Sequence, residues 1–390
     1  MRLAHLTISH PHLDVRIFQK EARTAAAAGH EVHVLAPGTP PAPRDGVVFH
    51  ELPEGVGMTS ALFWNVLRHY PAILRAAREV DADVYQVPDP ILVPAALMLR
   101  RRGAQIVYDA HEDRPRQALT KYRTAGRPVV ALVSAPLWWA LEAVGRRVFE
   151  RFVGATPAIA AKYPSERTVA LLNYVLRDEF VPAAHDPARP NVAVYAGSIN
   201  SHRNIEAMVE AIGLLPAELH PRLRLLGEFK RAEPSFRAHL ESMPGWARTE
   251  YGGQVPRERL AGLLATARVG LNLLEARPEH VVALGNKMFE YMAAGIPQVH
   301  SDFPLWREVI GGPGLGVAVD PSDPVAIAGA LRHLFEHPGE AEAMGRRARE
   351  AVDERYNWES QEPALLALYE GLEERESAEP RTLGLSGLRP

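Results

Sequence analysis

The 390-residue chain has no cysteine. That excludes disulfides, thiol nucleophiles and cysteine-ligated metals, and it suits a reducing compartment such as the cytoplasm. No run of about 18 apolar residues occurs, so no membrane-spanning helix is expected; the longest apolar stretch, Val129 to Leu141, is short and interrupted by Pro136. The opening MRLAHLTISH alternates like a buried strand and offers neither a basic n-region nor a cleavage site, so it is not read as a signal peptide. A Gly-x4-Gly-Lys-Ser/Thr loop is missing, and Gly312-Pro313-Gly314-Leu315-Gly316 lacks the Gly-x-Gly-x-x-Gly spacing, which argues against a dinucleotide dehydrogenase. No repeat at solenoid spacing is present. Net charge is small, −3 from 44 basic and 47 acidic residues. It is unevenly spread: residues 1–180 hold 22 basic residues against 18 acidic, and Arg100 to Arg151 hold 11 against 5. A basic first half draws an anionic acceptor or the headgroups of an inner membrane leaflet; a merely solvated arginine-rich face would read the same way.

What is present is a globular composition, 47% hydrophobic and 23% charged, in a length that suits two domains. Strands and helices alternate. Leu3–Ile8 reads as a strand, Asp14–Ala28 as a helix capped by Asp14 and ended by Gly29, and Glu31–Ala36 as the next strand. Asp83–Val87 and Gln105–Asp109 follow as strands, with a helix over Ile91–Arg101 between them. After a polar, proline-bearing stretch over residues 176–190 the alternation restarts: strand Asn191–Ala196, helix Arg203–Leu214, then strands Leu223–Leu226, Val269–Leu274, Pro297–His300 and Gly316–Val319. Alternation of this kind predicts right-handed crossovers and parallel sheets, hence two doubly wound α/β domains, 1–175 and 191–356, joined by a linker. A last helix within 357–376 is expected to return to the first domain, and 377–390 has no periodicity. Ligands of such sheets bind beyond the carboxyl ends of the strands, so the chemistry should come from strand-to-helix loops facing a cleft.

Four such segments carry candidate residues. The loop from Ser9 to Arg16 holds His10, Asp14 and Arg16 at a helix start, though Asp14 could be only a cap and Arg16 only a surface residue. Tyr108 to Asp113 places Asp109, His111, Glu112 and Asp113 at the end of a buried strand, costly unless they bond something. In the loop Gly197 to Asn204, Gly197 permits close backbone approach, Ser198 follows it, and Arg203 is expected in the first helical turn with a fork suited to phosphate. The fourth, Gly285 to Pro297, is the most informative. Gly285 and Asn286 offer free N–H groups, Lys287 adds charge, and Glu290 can accept from two vicinal hydroxyls. The bland alternative is a solvated Lys287–Glu290 pair worth about 0.3 kcal/mol.

At this segment the chain resembles the retaining glycosyltransferases of the GT-B fold, in particular glycosyltransferase family 4. The likeness runs through HPHLDVRIFQKEARTAAAAGHEV, VYDAHED, YAGSINSHRNIEAMVEAI, NKMFEYMAAGIPQVHSDFPLWREVI and ERYNWE, covering nearly the whole chain. It implies two Rossmann-like domains facing across a cleft. It also implies transfer of a sugar from a nucleoside-diphosphate sugar, UDP most often, to a hydroxyl of a glycan, glycolipid or small molecule in cell-surface polysaccharide or glycoconjugate synthesis. Carried over by position, Glu290 would hold the ribose, His111 would lie near the donor sugar, Arg203 would grip the diphosphate, and the Asp14–Arg16 loop would shape the acceptor side. The resemblance also implies no cofactor, metal or nucleic acid. Asp81-Ala82-Asp83 mimics a metal motif but lies between a helix and a strand. Two positions depart from the family: Val282 stands where a first motif glutamate is usual, and Ser198 where a basic residue is common. A sugar-nucleotide 2-epimerase and an inactive nucleotide-sugar-binding subunit are the alternatives. Leu62-Phe63-Trp64 and Leu137-Trp138-Trp139, near Arg68, Arg146 and Arg147, suggest peripheral membrane contact if they are not core.

Overall fold

The computed structural model describes residues 1–53, 62–111, 128–180, 182, 186, 188–230 and 233–378. Glu112 and Asp113, part of the proposed linker and most of the tail lie outside them, as do the side chains of Leu62, Phe63 and Trp64. The chain divides into two compact units, residues 1–172 with 361–390, and residues 173–360.

Unit 1 is built on a seven-stranded sheet of β1 (Arg2–Leu6), β2 (Glu31–Pro37), β3 (Val47–Leu52), β4 (Val84–Val87), β5 (Gln105–Ala110), β6 (Arg151–Gly154) and β7 (Thr168–Ala170), in the order β3-β2-β1-β4-β5-β6-β7. Every pairing in it is parallel. The order in which strands are added reverses between β1 and β4, so the loops after those two strands open at a switch point. Leu6, Leu35, Tyr85, Ile106 and Phe152 fill the core around it. Both faces of the central strands are covered, which is why β4 has burial at all four positions rather than alternation.

Unit 2 repeats the plan with β8 (Val192–Ala196), β9 (Arg222–Leu226), β10 (Thr249–Gly253), β11 (Val269–Asn272), β12 (Gln298–Ser301) and β13 (Gly316–Val319), ordered β10-β9-β8-β11-β12-β13 and again all parallel. Its switch point falls between β8 and β11. The doubly wound α/β class is therefore present twice. Four strands were not legible by pattern. β3 pairs at an edge, β6 opens on an arginine, β7 spans three residues, and β10 ends in two glycines.

Three local readings are corrected. The first helix starts as a π-helical segment, Ile17–Ala22, before Arg23–Ala27, although Asp14 Oδ1 does accept from the N–H groups of Arg16 and Ile17. Pro136 does not break its segment: one helix runs from Pro128 to Val148. No helix among the described residues is long and apolar enough to cross a membrane. Lastly, Arg203 precedes its helix instead of entering it. Ser201–Arg203 form a 3-10 turn, Asn204 adopts φ 51°, and the α-helix runs from Ile205 to Leu214.

The helix Glu362–Ala378 belongs to unit 1. Gln361 exchanges two hydrogen bonds with the backbone of Leu172, at 2.6 and 2.8 Å, and Gln105 Nε2 donates to Leu372 O at 3.0 Å. Within unit 2, the helix Pro338–Glu354 packs so closely on the turn after Asn286–Ala293 that a Cβ on Gly345 would lie 2.1 Å from Gly295 O. Gly345→Ala should therefore cost about 2 kcal/mol through overpacking, seen as a Tm lower by about 4–8 °C. Gly339→Ala, with nothing within 4 Å of the added methyl, should leave Tm unchanged or slightly raised.

Candidate functional site

In unit 2 the site is assembled around the end of β8. Gly197 N donates to Leu226 O at 2.8 Å, and Gly227 N to Gly253 O at 2.7 Å, which brings three strand ends together. A Cβ on Gly227 (φ 148°) would lie 1.9 Å from Gly197 O, so that position accepts only glycine. Ser198 is exposed, and its carbonyl accepts from the Tyr195 hydroxyl at 2.8 Å.

The helix Asn286–Ala293 is pinned to this strand end by Tyr291. Ala196 N donates to the Tyr291 hydroxyl at 2.9 Å, and the ring fits only because Gly270 has no Cβ, which would otherwise approach to 2.5 Å. Lys287 is four residues earlier and thus on the same helical face. Its Nζ lies 4.0 Å from the centroid of the Tyr195 ring, shut from solvent and without a hydrogen-bond partner. Burial pushes its pKa well below the usual lysine value, the charge of Arg203 pushes further, and Glu290 opposes both. Arg203 and Lys287 thus share one electrostatic site, as does Glu290. Gly285 and Asn286 are exposed at the helix start, and no side chain caps it.

Glu290 is buried and not free. Arg257 Nη1 donates to its Oε1 at 2.8 Å, and Arg257 Nη2 to Glu179 Oε2 at 2.8 Å. Both carboxylates raise the pKa of Arg257 against the opposing effect of burial. A cavity of about 370 Å³ lies here, lined among others by Gly197, Ser198, Gly227, Gln254 and Glu290. A wider depression of about 620 Å³ on the helix Leu62–Val80 carries none of these polar groups. Val282 closes a short helical turn and is 41% exposed, so no carboxylate occupies that position.

In unit 1 the loop after β1 is tied to the loop after β4 by Asp89, whose Oδ2 accepts from the Thr7 hydroxyl and Ile8 N at 2.8 Å each. This holds His10, whose Nδ1 lies 3.2 Å from Asp14 Oδ2. Burial would raise the Asp14 pKa, but His10 and the Ile17 N–H outweigh it and bring it to about 2. His10 meets His111 edge to face, ring centroids 5.2 Å apart. His111 Nε2 in turn lies 2.7 Å from Asp109 Oδ2.

Arg16 and Asp109, read from the sequence as ligand-side groups, are instead buried partners of each other. Arg16 Nη2 donates to Asp109 Oδ1 at 2.9 Å and its Nη1 to Leu171 O at 2.8 Å. Burial alone would raise the Asp109 pKa, but Arg16 and His111 overcome it and hold the carboxyl well below the usual range. The Asp81-Ala82-Asp83 stretch sits at the other end of the sheet, where Asp83 Oδ2 accepts from Arg2 N at 2.7 Å. Sequence reasoning missed Glu21, Gln86 and Arg257. Each is an ordinary surface-type residue in pattern, and only its burial among charges marks it.

The sequence matches the family described as Glycosyltransferase Family 4 over residues 16–163, and the family described as Glycosyl transferase-like over residues 203–367. An O-antigen chain mannosyltransferase B of Escherichia coli is 28% identical over 212 residues, 51% of this chain and 53% of that protein. The chain thus matches about half the length of that relative. Sucrose-phosphate synthase of Thermosynechococcus elongatus superposes with a TM-score of 0.74 at 19% identity, covering 96% of this chain and all of that one. The Anabaena protein HepE, crystallised with UDP and glucose, superposes with a TM-score of 0.69 at 13% identity, covering 97% and 100%.

Removing one member of the Arg16–Asp109 pair strands the other. Arg16→Met should lower the unfolding free energy by about 3–5 kcal/mol, measured by urea denaturation, and the double replacement Arg16→Met/Asp109→Leu should recover most of that loss. Unchanged stability in Arg16→Met would mean that the two side chains are not desolvated together.

Proposed function

The chain belongs to the GT-B glycosyltransferases of family 4 type, and from that premise we propose that it moves a sugar from a uridine diphosphate sugar to a hydroxyl acceptor with retention of anomeric configuration. The observation that carries this reading is the Lys287 ammonium, buried beside Gly197 without an acceptor. An anion is what such a group lacks, and the helix start beside it favours the same sign of charge. A diphosphate seated there would take its charge-assisted bonds from Lys287 and Arg203, and N–H groups from Gly285 and Asn286. Glu290 would accept from the ribose through the oxygen that Arg257 leaves open. Uridine is favoured because the HepE neighbour carries UDP.

The chemistry asked of these residues is electrostatic. As the sugar–phosphate bond breaks, negative charge grows on the leaving diphosphate and positive charge on the sugar ring. Preorganised donors lower that barrier, each worth about 10²–10³ in rate. Lys287 and Arg203 meet the first charge. His111, held by Asp109, hydrogen-bonds the sugar, with His10 and Asp14 on the acceptor side. The acceptor hydroxyl attacks from the face the diphosphate leaves, so no protein nucleophile and no metal is needed. The products are the glycosylated acceptor and the nucleoside diphosphate, and the hydroxyl proton goes to the departing phosphate. The acceptor class is a cell-surface glycan, glycolipid or related glycoconjugate.

Binding should be linked to protons. A lysine whose pKa is depressed when empty and restored by a diphosphate takes up a proton on binding. The affinity for UDP should therefore fall as pH rises through the free-state pKa, with proton uptake visible by calorimetry in buffers of different ionisation enthalpy. Lys287→Ala should abolish the uptake and weaken UDP about 10–100-fold, and Glu290→Ala should weaken it about tenfold. UDP affinity unchanged in both variants would sink the assignment.

A lipid surface belongs to the same reading. On the helix Pro128–Val148, Trp139 is 66% exposed, with Leu137 and Val144 also exposed near Arg146 and Arg147. Vesicles containing anionic lipid should retain the protein in a salt-sensitive way, and Trp139→Ser should weaken that retention. Equal retention by neutral vesicles would count against it.

A further inference from the structure

Unit 1 encloses a string of buried polar groups that sugar transfer does not itself employ. Gln86, on β4, is 3% exposed. Its Nε2 donates to Glu21 Oε2 at 2.8 Å and to Asp109 Oδ2 at 3.4 Å, and its Oε1 accepts from the Tyr369 hydroxyl at 2.7 Å. Tyr369 comes from the C-terminal helix, 283 residues away in sequence. Glu21 lies 3.1 Å from Arg16 Nε and 3.9 Å from His5 Nδ1. The string ends at Asp109 Oδ2, the oxygen that faces His111 Nε2 at 2.7 Å.

We infer that Tyr369, Gln86 and Glu21 are positioning residues for His111, acting through Asp109 to hold the imidazole with Nε2 protonated and Nδ1 free to accept. The inference rests on the role given to His111 above. Its physical content is a sequence of orientations. A Tyr369 hydroxyl that donates to Gln86 Oε1 leaves the amide one way round, with its NH₂ toward the two acids. Were the amide to flip, its carbonyl would face the Asp109 carboxylate, which is unfavourable in a site closed to water.

Two buried carboxyl groups share one guanidinium here, so only one can carry charge cheaply. Burial and the neighbouring charge of Asp109 push Glu21 well above the usual carboxylate range, while Arg16 and His111 hold Asp109 below it against burial, so Asp109 is the acid of the pair that ionises first. Burial, with both acids nearby, likewise keeps the Tyr369 hydroxyl protonated as a donor. An imidazole nitrogen 2.7 Å from an ionised carboxylate must be the protonated one. The other titratable groups around the ring are His10, edge-on at 5.2 Å with Asp14 behind it, and Arg16 and His5 on the buried side. Burial lowers the His5 pKa to about 4, so that ring adds no positive charge near neutrality.

Nitrogen-15 NMR of the histidine side chains reads the tautomer directly. Among the 16 histidines, the pair of signals lost in His111→Gln identifies the ring in question. The wild-type ring should show its proton on Nε2, the nitrogen that faces Asp109. Tyr369→Phe and Gln86→Met should each shift it toward a mixture and lower kcat about tenfold, the scale of one buried hydrogen bond, while the donor KM stays within about twofold. Wild-type tautomer populations in both variants, each folded by circular dichroism and binding UDP normally, would overturn the inference. Full turnover by His111→Gln would instead remove the role of His111 in transfer, and the tautomer populations would still decide whether these residues orient the ring.

Discussion

An ammonium group held away from water with no acceptor in reach is a standing cost to a folded protein, and Lys287 carries that cost. The fold around it keeps the arrangement from relaxing. Tyr291 locks the helix against β8, Gly270 makes room for that ring, and Gly227 lets its loop approach Gly197 with no side chain between them. Tyr195 lies under the Nζ and offers a π face in place of a hydrogen-bond acceptor. Each of these features would be wasteful in a protein that bound nothing there. Together they keep a desolvated lysine beside the end of β8, and the proposed anion site of unit 2 rests on that.

Unit 1 treats charge in the opposite way. Arg16, Asp109 and Glu21 are buried more deeply than Lys287, yet they are closed on one another and on Gln86. Such a network contributes little net stability compared with apolar packing, but it is intolerant of losing one partner. Its product is geometric. At its edge His10, Asp14 and His111 are brought together. Unit 2 therefore stores an unmet electrostatic demand, whereas unit 1 converts a satisfied one into orientation.

Much of this was legible in the residues. Short, mostly apolar runs predicted the central strands of both sheets, because parallel strands covered on both faces are apolar along their length. The Gly285–Glu290 segment suggested a candidate anion site through its helix-start N–H groups and its lysine. Less legible were the edge strands β3, β7 and β10, where one partner is missing and burial imposes less pattern. Arg203 was placed a turn too far along, since nothing in the local sequence marks the left-handed Asn204. Arg16 read as a loop residue aimed at ligand because its spacing from Asp14 says nothing of Leu171 and Asp109, distant in sequence and adjacent in space.

The sequence by itself determined the class of fold, the two-unit plan and the candidate anion site at the Lys287 helix start, since each depends on short-range pattern: periodicity, caps and the chemistry of a single helical turn. Only the tertiary structure decided which charges are spent and which remain. Desolvation and pairing depend on neighbours tens to hundreds of residues away. Arg257 against Glu290, and Tyr369 against Gln86, become partners only when the chain has closed around them.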